Sequence, residues 1–402
     1  MGEASRKENA AQLGVVIGGS GLIGGTIVNY FKSRSSEPIT VLAPSSKKLS
    51  IRESADIRRY LASTRPDFVI NSAIANIDSD SQLSFEVNYL GTLNLARTAA
   101  ALGIPYIHIS SAATLREGTN VTEEEKREIT ANMSNYAKSK LMAETTLEYM
   151  HRHHGLDYTV IRLGVVYGNH DHKIQGFHRM LFSIADESMP CIFTNKSVMH
   201  SYSNCRKLPY FIHHALNNRP EFSGKSYNFV DEEPINLAHL ILTIKSFLQV
   251  STPREIYIPY QVARFGKKVT SALLRVMRKF GLKATLPPEL IFIRHFYTTQ
   301  TLSIRRLKES SFIDPLADET VYTRLPDMVI YYLTRWGHQN LISTYNEEIK
   351  LDRSIEDDFA NRPLQLLESV HLDSTEPFRD IMQYESPKSL ADTPLDSRMH
   401  SS

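Results

Sequence analysis

Cysteine is nearly absent: the 402 residues contain Cys191 and Cys205, with no C-x-x-C pair and no metal-ligand spacing. That excludes a disulfide scaffold and suits a reducing compartment. No run of 18 apolar residues occurs, so no transmembrane helix is expected. The first residues, Met1-Gly2-Glu3-Ala4-Ser5-Arg6, lack an apolar secretory segment, and Arg6 stands where myristoylation wants Ser or Thr. A cytoplasmic location follows as an expectation, and the sequons at Asn120, Asn132 and Asn195 read as chance matches. Charge of one sign is also scarce, with a net of +2. It is unevenly placed: residues 351–402 carry eleven acids against five bases, and read as a disordered acidic tail. The body is too mildly basic for nucleic acid, and no basic-aromatic RNA motif is present.

What is present is the composition of an ordinary globular protein, 42% apolar and 22% charged. Short apolar runs alternate with helical stretches. Leu13–Gly18, Thr40–Ala43, Asp67–Asn71, Tyr106–Ser110 and Tyr158–Leu163 read as strands. Helices are expected from Ile23 to Ser33, over 82–102 and over 134–154. This rhythm predicts an α/β fold with a doubly wound parallel sheet, buried on both faces. Beyond residue 168 the rhythm weakens, and helical segments near 176–190, 207–217 and 236–249 suit a smaller, mostly helical C-terminal lobe. The expected division is 13–168 for the core and 169–345 for a substrate lobe, with possible returns to the core.

Gly18-Gly19-Ser20-Gly21-Leu22-Ile23-Gly24 stands between the first strand and the first helix. Gly18, Gly21 and Gly24 allow a tight turn and a close approach to a pyrophosphate, whose charge the helix N-terminus favours. Ser20, Leu22 and Ile23 belong to the same loop. The second strand runs into Ala43-Pro44-Ser45-Ser46-Lys47-Lys48, with no acid for a ribose 2′-hydroxyl. Ser45 and Lys47 suit a 2′-phosphate instead, so NADP(H) is favoured over NAD(H). Tyr136 and Lys140 lie one helical turn apart on one face. An ammonium beside a phenol favours its ionisation, and the pair suits proton transfer in a carbonyl/alcohol redox step. Ser111, ending a strand, is placed to bond a substrate oxygen. The histidines His151, His153, His154, His170, His172, His213 and His214 lack a ligand spacing, so no metal site is expected. Residues 262–283 combine an apolar stripe with seven Lys or Arg and no acid. They read as a lobe helix, a lid over an acidic or lipid substrate, or a peripheral contact with an anionic membrane.

The ordered motifs resemble one family. Gly-x-x-Gly-x-x-Gly, Pro66-Asp-Phe-Val-Ile-Asn71, Val87-Asn88-Tyr-Leu-Gly91-Thr92, Ile109-Ser-Ser111 and Tyr136-x-x-x-Lys140 look like the extended short-chain dehydrogenase/reductases. Ile161–Gly168 is similar to that family's segment after the sixth strand, with Leu163 where proline is usual. The resemblance covers about residues 13–340 and implies a Rossmann-like sheet. It implies Ser111 as the group polarising the substrate, Tyr136 as acid/base, Lys140 holding the nicotinamide ribose, and Asn88 supporting the site. Asn71, Ala73, Leu163 and Val166 would border the cofactor. Ala112 and Ala113 replace the acidic pair of the sugar-nucleotide dehydratases, so dehydration is not expected. Residues 49–95 look like the rhamnose-pathway sugar reductases, whereas 256–312 look like the sterol and 3β-hydroxysteroid dehydrogenase branch. The resulting expectation is an NAD(P)-dependent interconversion of a secondary alcohol and a ketone on a sugar-nucleotide, sterol or lipid-like substrate. Rivals are a nucleotide-sugar epimerase with tightly held NAD, and a non-catalytic cofactor-binding scaffold. The family's usual pairing through two long helices implies a homodimer.

Overall fold

The computed structural model describes residues 12–33, 35, 39–76, 79–131, 133–186, 194–248, 258–266, 269, 294–339 and 341–342. The acidic tail and most of 262–283 lie outside these residues. The described residues up to Thr334 form one compact unit. The second unit, beginning at Arg335, is described by the end of a helix (Val321–His338) and a short continuation in which the Leu341 amide donates to the Trp336 carbonyl, 2.9 Å away.

The main sheet has six strands, all parallel. They are β1 (Gln12–Ile17), β2 (Ile39–Leu42), β3 (Phe68–Asn71), β4 (Tyr106–Ser111), β6 (Tyr158–Leu163) and β10 (Lys225–Phe229), in the order β10-β6-β4-β3-β1-β2. The expected strands are recovered within a residue or so. The sixth, β10, comes from inside the stretch assigned to the lobe, and pairs with β6 from Lys225 beside Thr159 to Phe229 beside Leu163. Its sequence, Lys-Ser-Tyr-Asn-Phe, is too polar to advertise a strand buried on both sides. The polarity is absorbed inside: the Asn228 amide donates to the carbonyls of Val121 and Ser303, 3.1 Å from each.

Helices cover both faces. On one, α1 (Leu22–Ser33) brings Ile27, Tyr30 and Phe31 against Val16, Phe68 and Ile107, joined by Phe211 and Ile212 of α7 (Leu208–Asn217). On the other, α2 (Ser54–Thr64), α4 (Gly91–Leu102) and α5 (Asn135–His154) bring Ile57, Leu61, Leu95, Ala99 and Leu147 against Val15, Val69 and Tyr106. The helix expected over 82–102 is made of three parts: α3 (Ser81–Ser84), a π-helical stretch over Phe85–Leu90, and α4. Such widened turns gather at functional sites.

The lobe is more than helical. Helices α6 (Phe177–Ala185) and α9 (Leu237–Phe247) accompany a four-stranded sheet in the order β11-β8-β12-β5, from Ile235–Asn236, Met199–His200, Gln300–Leu302 and Gly118–Val121. Strands of two to four residues leave no periodicity to read. Among the described residues no helix is long and apolar enough to cross a membrane, and no group of three or more His, Cys, Asp or Glu is arranged to hold a metal ion.

Candidate active site

The chain leaves β1 and builds β2 on one side of it, then places β3 on the other. The carboxyl ends of β1 and β3 are therefore the point where the winding reverses, and in such sheets ligands bind there. The glycine loop occupies this point. Gly18 adopts φ +82°, and a Cβ on it would lie 2.8 Å from the Ala73 amide nitrogen. A Cβ on Gly24 would lie 2.2 Å from the Gly18 carbonyl oxygen, so the helix closes onto the strand only with glycine there. Gly21 differs: a Cβ there would meet only the Gly18 carbonyl, at 3.5 Å. Its far side is open backbone at the N-terminus of a twelve-residue helix, a surface that fits an anion. Ser20 is exposed, and Leu22 and Ile23 are half-buried beside it. Ser72 locks the neighbouring loop by donating its hydroxyl to the Ile17 carbonyl, 2.7 Å away. The cradle thus fits a dinucleotide. After β2, Ser45, Ser46, Lys47 and Lys48 are all exposed in a turn closed by the Lys48 amide on the Ser45 carbonyl, 2.9 Å.

Two strands along, β4 ends at Ser111, paired with Leu163 of β6. The hydroxyl of Ser111 lies beside the Tyr136 phenol and favours its ionised form, and its oxygen accepts from the Ala113 amide at 3.2 Å. Helix α5 starts one residue before Tyr136, capped by Ser134, whose side chain accepts from the Ala137 amide. Lys140 is buried one turn on. It does not meet the phenol as expected: its Nζ donates to the Ile109 carbonyl at 2.8 Å. Burial pushes the Tyr136 phenol up, against the lowering effect of the Ser111 hydroxyl, and the Glu144 carboxylate adds to the rise. Lys140 is not among the groups that lower it. Burial pulls the Lys140 ammonium down to about 8, with Glu144 opposing the fall.

Asn88 lies in the π-helical stretch, almost wholly buried. Its amide oxygen accepts from the Ala75 amide at 3.0 Å and its amide nitrogen donates to the Ser139 hydroxyl at 3.1 Å. It therefore ties the loop after β3 to the helix of Tyr136 and Lys140. Asn71 is also spent internally, donating to Thr92 and Tyr106 at 3.2 and 2.9 Å and accepting from the Ala73 amide at 3.1 Å. Leu163, the last residue of β6, is buried, and Val166 beyond it is half-buried.

Sequence reasoning missed Glu144 and Arg162, both fully buried. Arg162 Nη2 and Nε reach the Glu144 carboxylate at 2.8 and 3.1 Å. The same carboxylate accepts from the hydroxyls of Ser110 and Thr114, on either side of Ser111. The signal was available: Glu144 is one turn past Lys140 on the same helix face. A separate cleft of about 600 Å³, lined by Glu123, Lys126, Tyr158, Lys225 and Arg306, opens where β6 and β10 begin. That is the opposite end of these strands from Ser111.

Fold and loop together define a doubly wound protein of the dinucleotide-binding type. Residues 15–196 match the model of the NAD dependent epimerase/dehydratase family. The chain is 24% identical over 166 residues to a dTDP-4-dehydrorhamnose reductase of Sinorhizobium fredii, covering 40% of this chain and 53% of that protein. It is 28% identical over 144 residues to a protein of that name from Mycolicibacterium smegmatis, covering 35% and 42% respectively. The chain thus spans about half the length of the curated relatives it matches. A crystal structure of dTDP-4-dehydrorhamnose reductase from Bacillus anthracis, in complex with NADP, superposes with a TM-score of 0.57 at 14% identity. That alignment covers 80% of this chain and 98% of the other.

Replacing Asn88 with alanine removes both of its bonds and leaves the Ala75 amide unsatisfied. The expected loss is about 2 kcal/mol of stability, read from the urea midpoint. An unchanged midpoint would show that the tie between loop and helix is dispensable.

Proposed function

We propose that the chain is an NAD(P)-dependent oxidoreductase that interconverts a secondary alcohol and a ketone on a sugar-nucleotide. The observation that carries this reading is the placement of the Ser111 hydroxyl beside the Tyr136 phenol, with Lys140 one turn further along α5. Two relatives named for the reduction of a dTDP-linked keto sugar support the substrate class. Ala112 and Ala113 provide no second acid/base beside Ser111, which favours simple redox over dehydration.

Gly18, Gly21 and Gly24 would hold the pyrophosphate against bare backbone, and Asn71, Ala73, Leu163 and Val166 would border the remainder of the cofactor. The bound nicotinamide supplies the hydride chemistry. Ser111 donates a hydrogen bond to the substrate oxygen and keeps it beside the Tyr136 phenol. In the reducing direction Tyr136 passes its proton to that oxygen as negative charge develops there. A phenol raised by burial is in its acid form at neutral pH, the form this direction uses. Lys140, whose ammonium donates to the Ile109 carbonyl, would hold the cofactor ribose, and Asn88 keeps α5 in register with the loop after β3. The exposed Lys47 and Lys48, with Ser45, would take the 2′-phosphate of NADP(H). A second copy of the chain covers the groove between α4 and α5, where Leu93, Tyr149 and Met150 line an open surface beside the exposed Leu90 and Leu102.

Tyr136→Phe is expected to reduce turnover of a keto-sugar nucleotide to background while NADPH still binds, as read by nicotinamide fluorescence. Full activity in that variant would sink the assignment. Changing Lys47 and Lys48 together to glutamate is expected to weaken NADPH binding by at least about tenfold and leave NADH binding unchanged, as befits loss of charge pairing. Equal losses for both cofactors would remove the 2′-phosphate reading. Tyr149→Glu is expected to convert a dimer to a monomer in analytical ultracentrifugation, and a wild-type monomer would contradict the second copy.

A further inference from the structure

Glu144 touches every element that the Ser111–Tyr136–Lys140 group is built on. It lies on α5, one turn beyond Lys140 and two beyond Tyr136. It accepts the hydroxyl of Ser110, on β4 immediately before Ser111. It accepts the Thr114 hydroxyl, 3.0 Å away, from the turn immediately after. Thr114 in turn receives the Arg127 amide on its carbonyl, and its one hydroxyl hydrogen is shared between Glu144 and the Ser111 carbonyl, 2.9 Å away. From β6, Arg162 faces the carboxylate with Nε 3.1 Å from both oxygens and Nη2 2.8 Å from one. The third guanidinium nitrogen donates to the Glu123 carbonyl at 2.8 Å, so the arginine cannot turn away.

We propose that Glu144, held by Arg162, is the positioning residue of this site: it clamps the strand end that carries Ser111 and supplies the buried negative charge that balances the Lys140 ammonium. The inference rests on the dinucleotide oxidoreductase reading given above.

One carboxylate oxygen receives both hydroxyls and Arg162 Nε, and the other receives Nε and Nη2 of the same guanidinium. A buried carboxylate without such partners would be protonated, but here Arg162 and Ser110 hold it below its ordinary range despite burial. The charge therefore persists. Lys140 is as buried as Glu144, and burial alone favours the neutral amine. The groups around it are few. On its own helix are Tyr136 and Glu144, and from β4 comes His108, fully buried with neither ring nitrogen hydrogen-bonded. Burial, joined by the Lys140 charge, holds His108 neutral, far below the ordinary imidazole range. Further out, Arg162 is engaged by Glu144, Lys126 lies 4.0 Å from Glu144 and pairs with Glu148, and Glu123 receives the Asn228 amide at 3.0 Å. Glu144 is the carboxylate that favours the lysine cation. Lys140 is protonated below about pH 8, so a group that needs the ammonium loses it as pH rises through that value. Without Glu144, the loss comes at lower pH.

The test is the pH dependence of NADPH binding by the full chain, followed by nicotinamide fluorescence from pH 6 to 10. Wild-type affinity is expected to fall above about pH 8. In Glu144→Gln the midpoint is expected to move down by about one unit, the size of effect a nearby buried carboxylate exerts. That variant leaves the Arg162 charge unpaired and is expected to be less stable, so Glu144→Gln with Arg162→Met is measured beside it. If the pair served structure alone, the double variant would regain both the stability and the wild-type midpoint. The inference requires stability to recover while the midpoint stays low. A midpoint equal to wild type in the double variant overturns it. Failure of the wild-type chain to bind NADPH at any pH overturns the dinucleotide reading, and this inference with it.

Discussion

Two opposite charges buried where no water reaches hold this structure in register. The Glu144 carboxylate and the Arg162 guanidinium join α5 to β6, and through Ser110 and Thr114 they fix the end of β4. An isolated charge in that position would cost several kcal/mol, so each group is tolerable only while the other stays in place. The pairing makes the relative placement of a helix and two strands nearly all-or-none. Small displacements that separate Ser111 from Tyr136 also break a buried ion pair.

The pair belongs to a polar seam on one face of an otherwise apolar sheet. Along β4, Tyr106, His108 and Ser110 alternate toward α4 and α5, while Ile107 and Ile109 face the other cluster. Asn71 donates to both Tyr106 and Thr92, Asn88 donates to Ser139, and Glu144 accepts from Ser110. His108 alone in this row makes no hydrogen bond. A row of buried polar groups is costly unless each has a partner, and the partners here come from three separate segments. The opposite face, with Phe31, Phe68, Phe211 and Phe229, does the ordinary work of a hydrophobic core.

Much of the doubly wound sheet was legible in the chain because buried parallel strands leave short apolar runs that only a few patterns mimic. Val15-Val16-Ile17, Phe68-Val69-Ile70 and Val160-Ile161 are examples. The glycine loop was legible for a local reason: a positive φ at Gly18 and contact at Gly24 are written into neighbouring residues. What escaped depends on distant segments meeting. β10 is polar because Asn228 is satisfied by Val121 and Ser303, far away in sequence. Beyond its spacing from Lys140, nothing in the sequence around Glu144 sets it apart from its neighbours on α5; only the fold brings Arg162 of β6 to it. The electrostatics of Tyr136 and Lys140 were misjudged for the same reason, since spacing along one helix does not reveal that the Ile109 carbonyl takes the ammonium.

The widened turn over Phe85–Leu90 has a bearing on how this region tolerates change. Each residue of a helix advances its side chains by about 100° around the axis. The extra residue of a π turn therefore sets the angular phase of everything after it. In α4 that phase points Leu95, Ala96 and Ala99 into the sheet and, one step before, turns Asn88 toward Ser139. A regular winding over the same stretch would rotate the apolar stripe off the core and swing the amide out of its bonds together. The stretch works as a phase shifter between two functions of one helix, burial at its end and site support at its beginning. Length changes there are expected to be far less tolerated than substitutions.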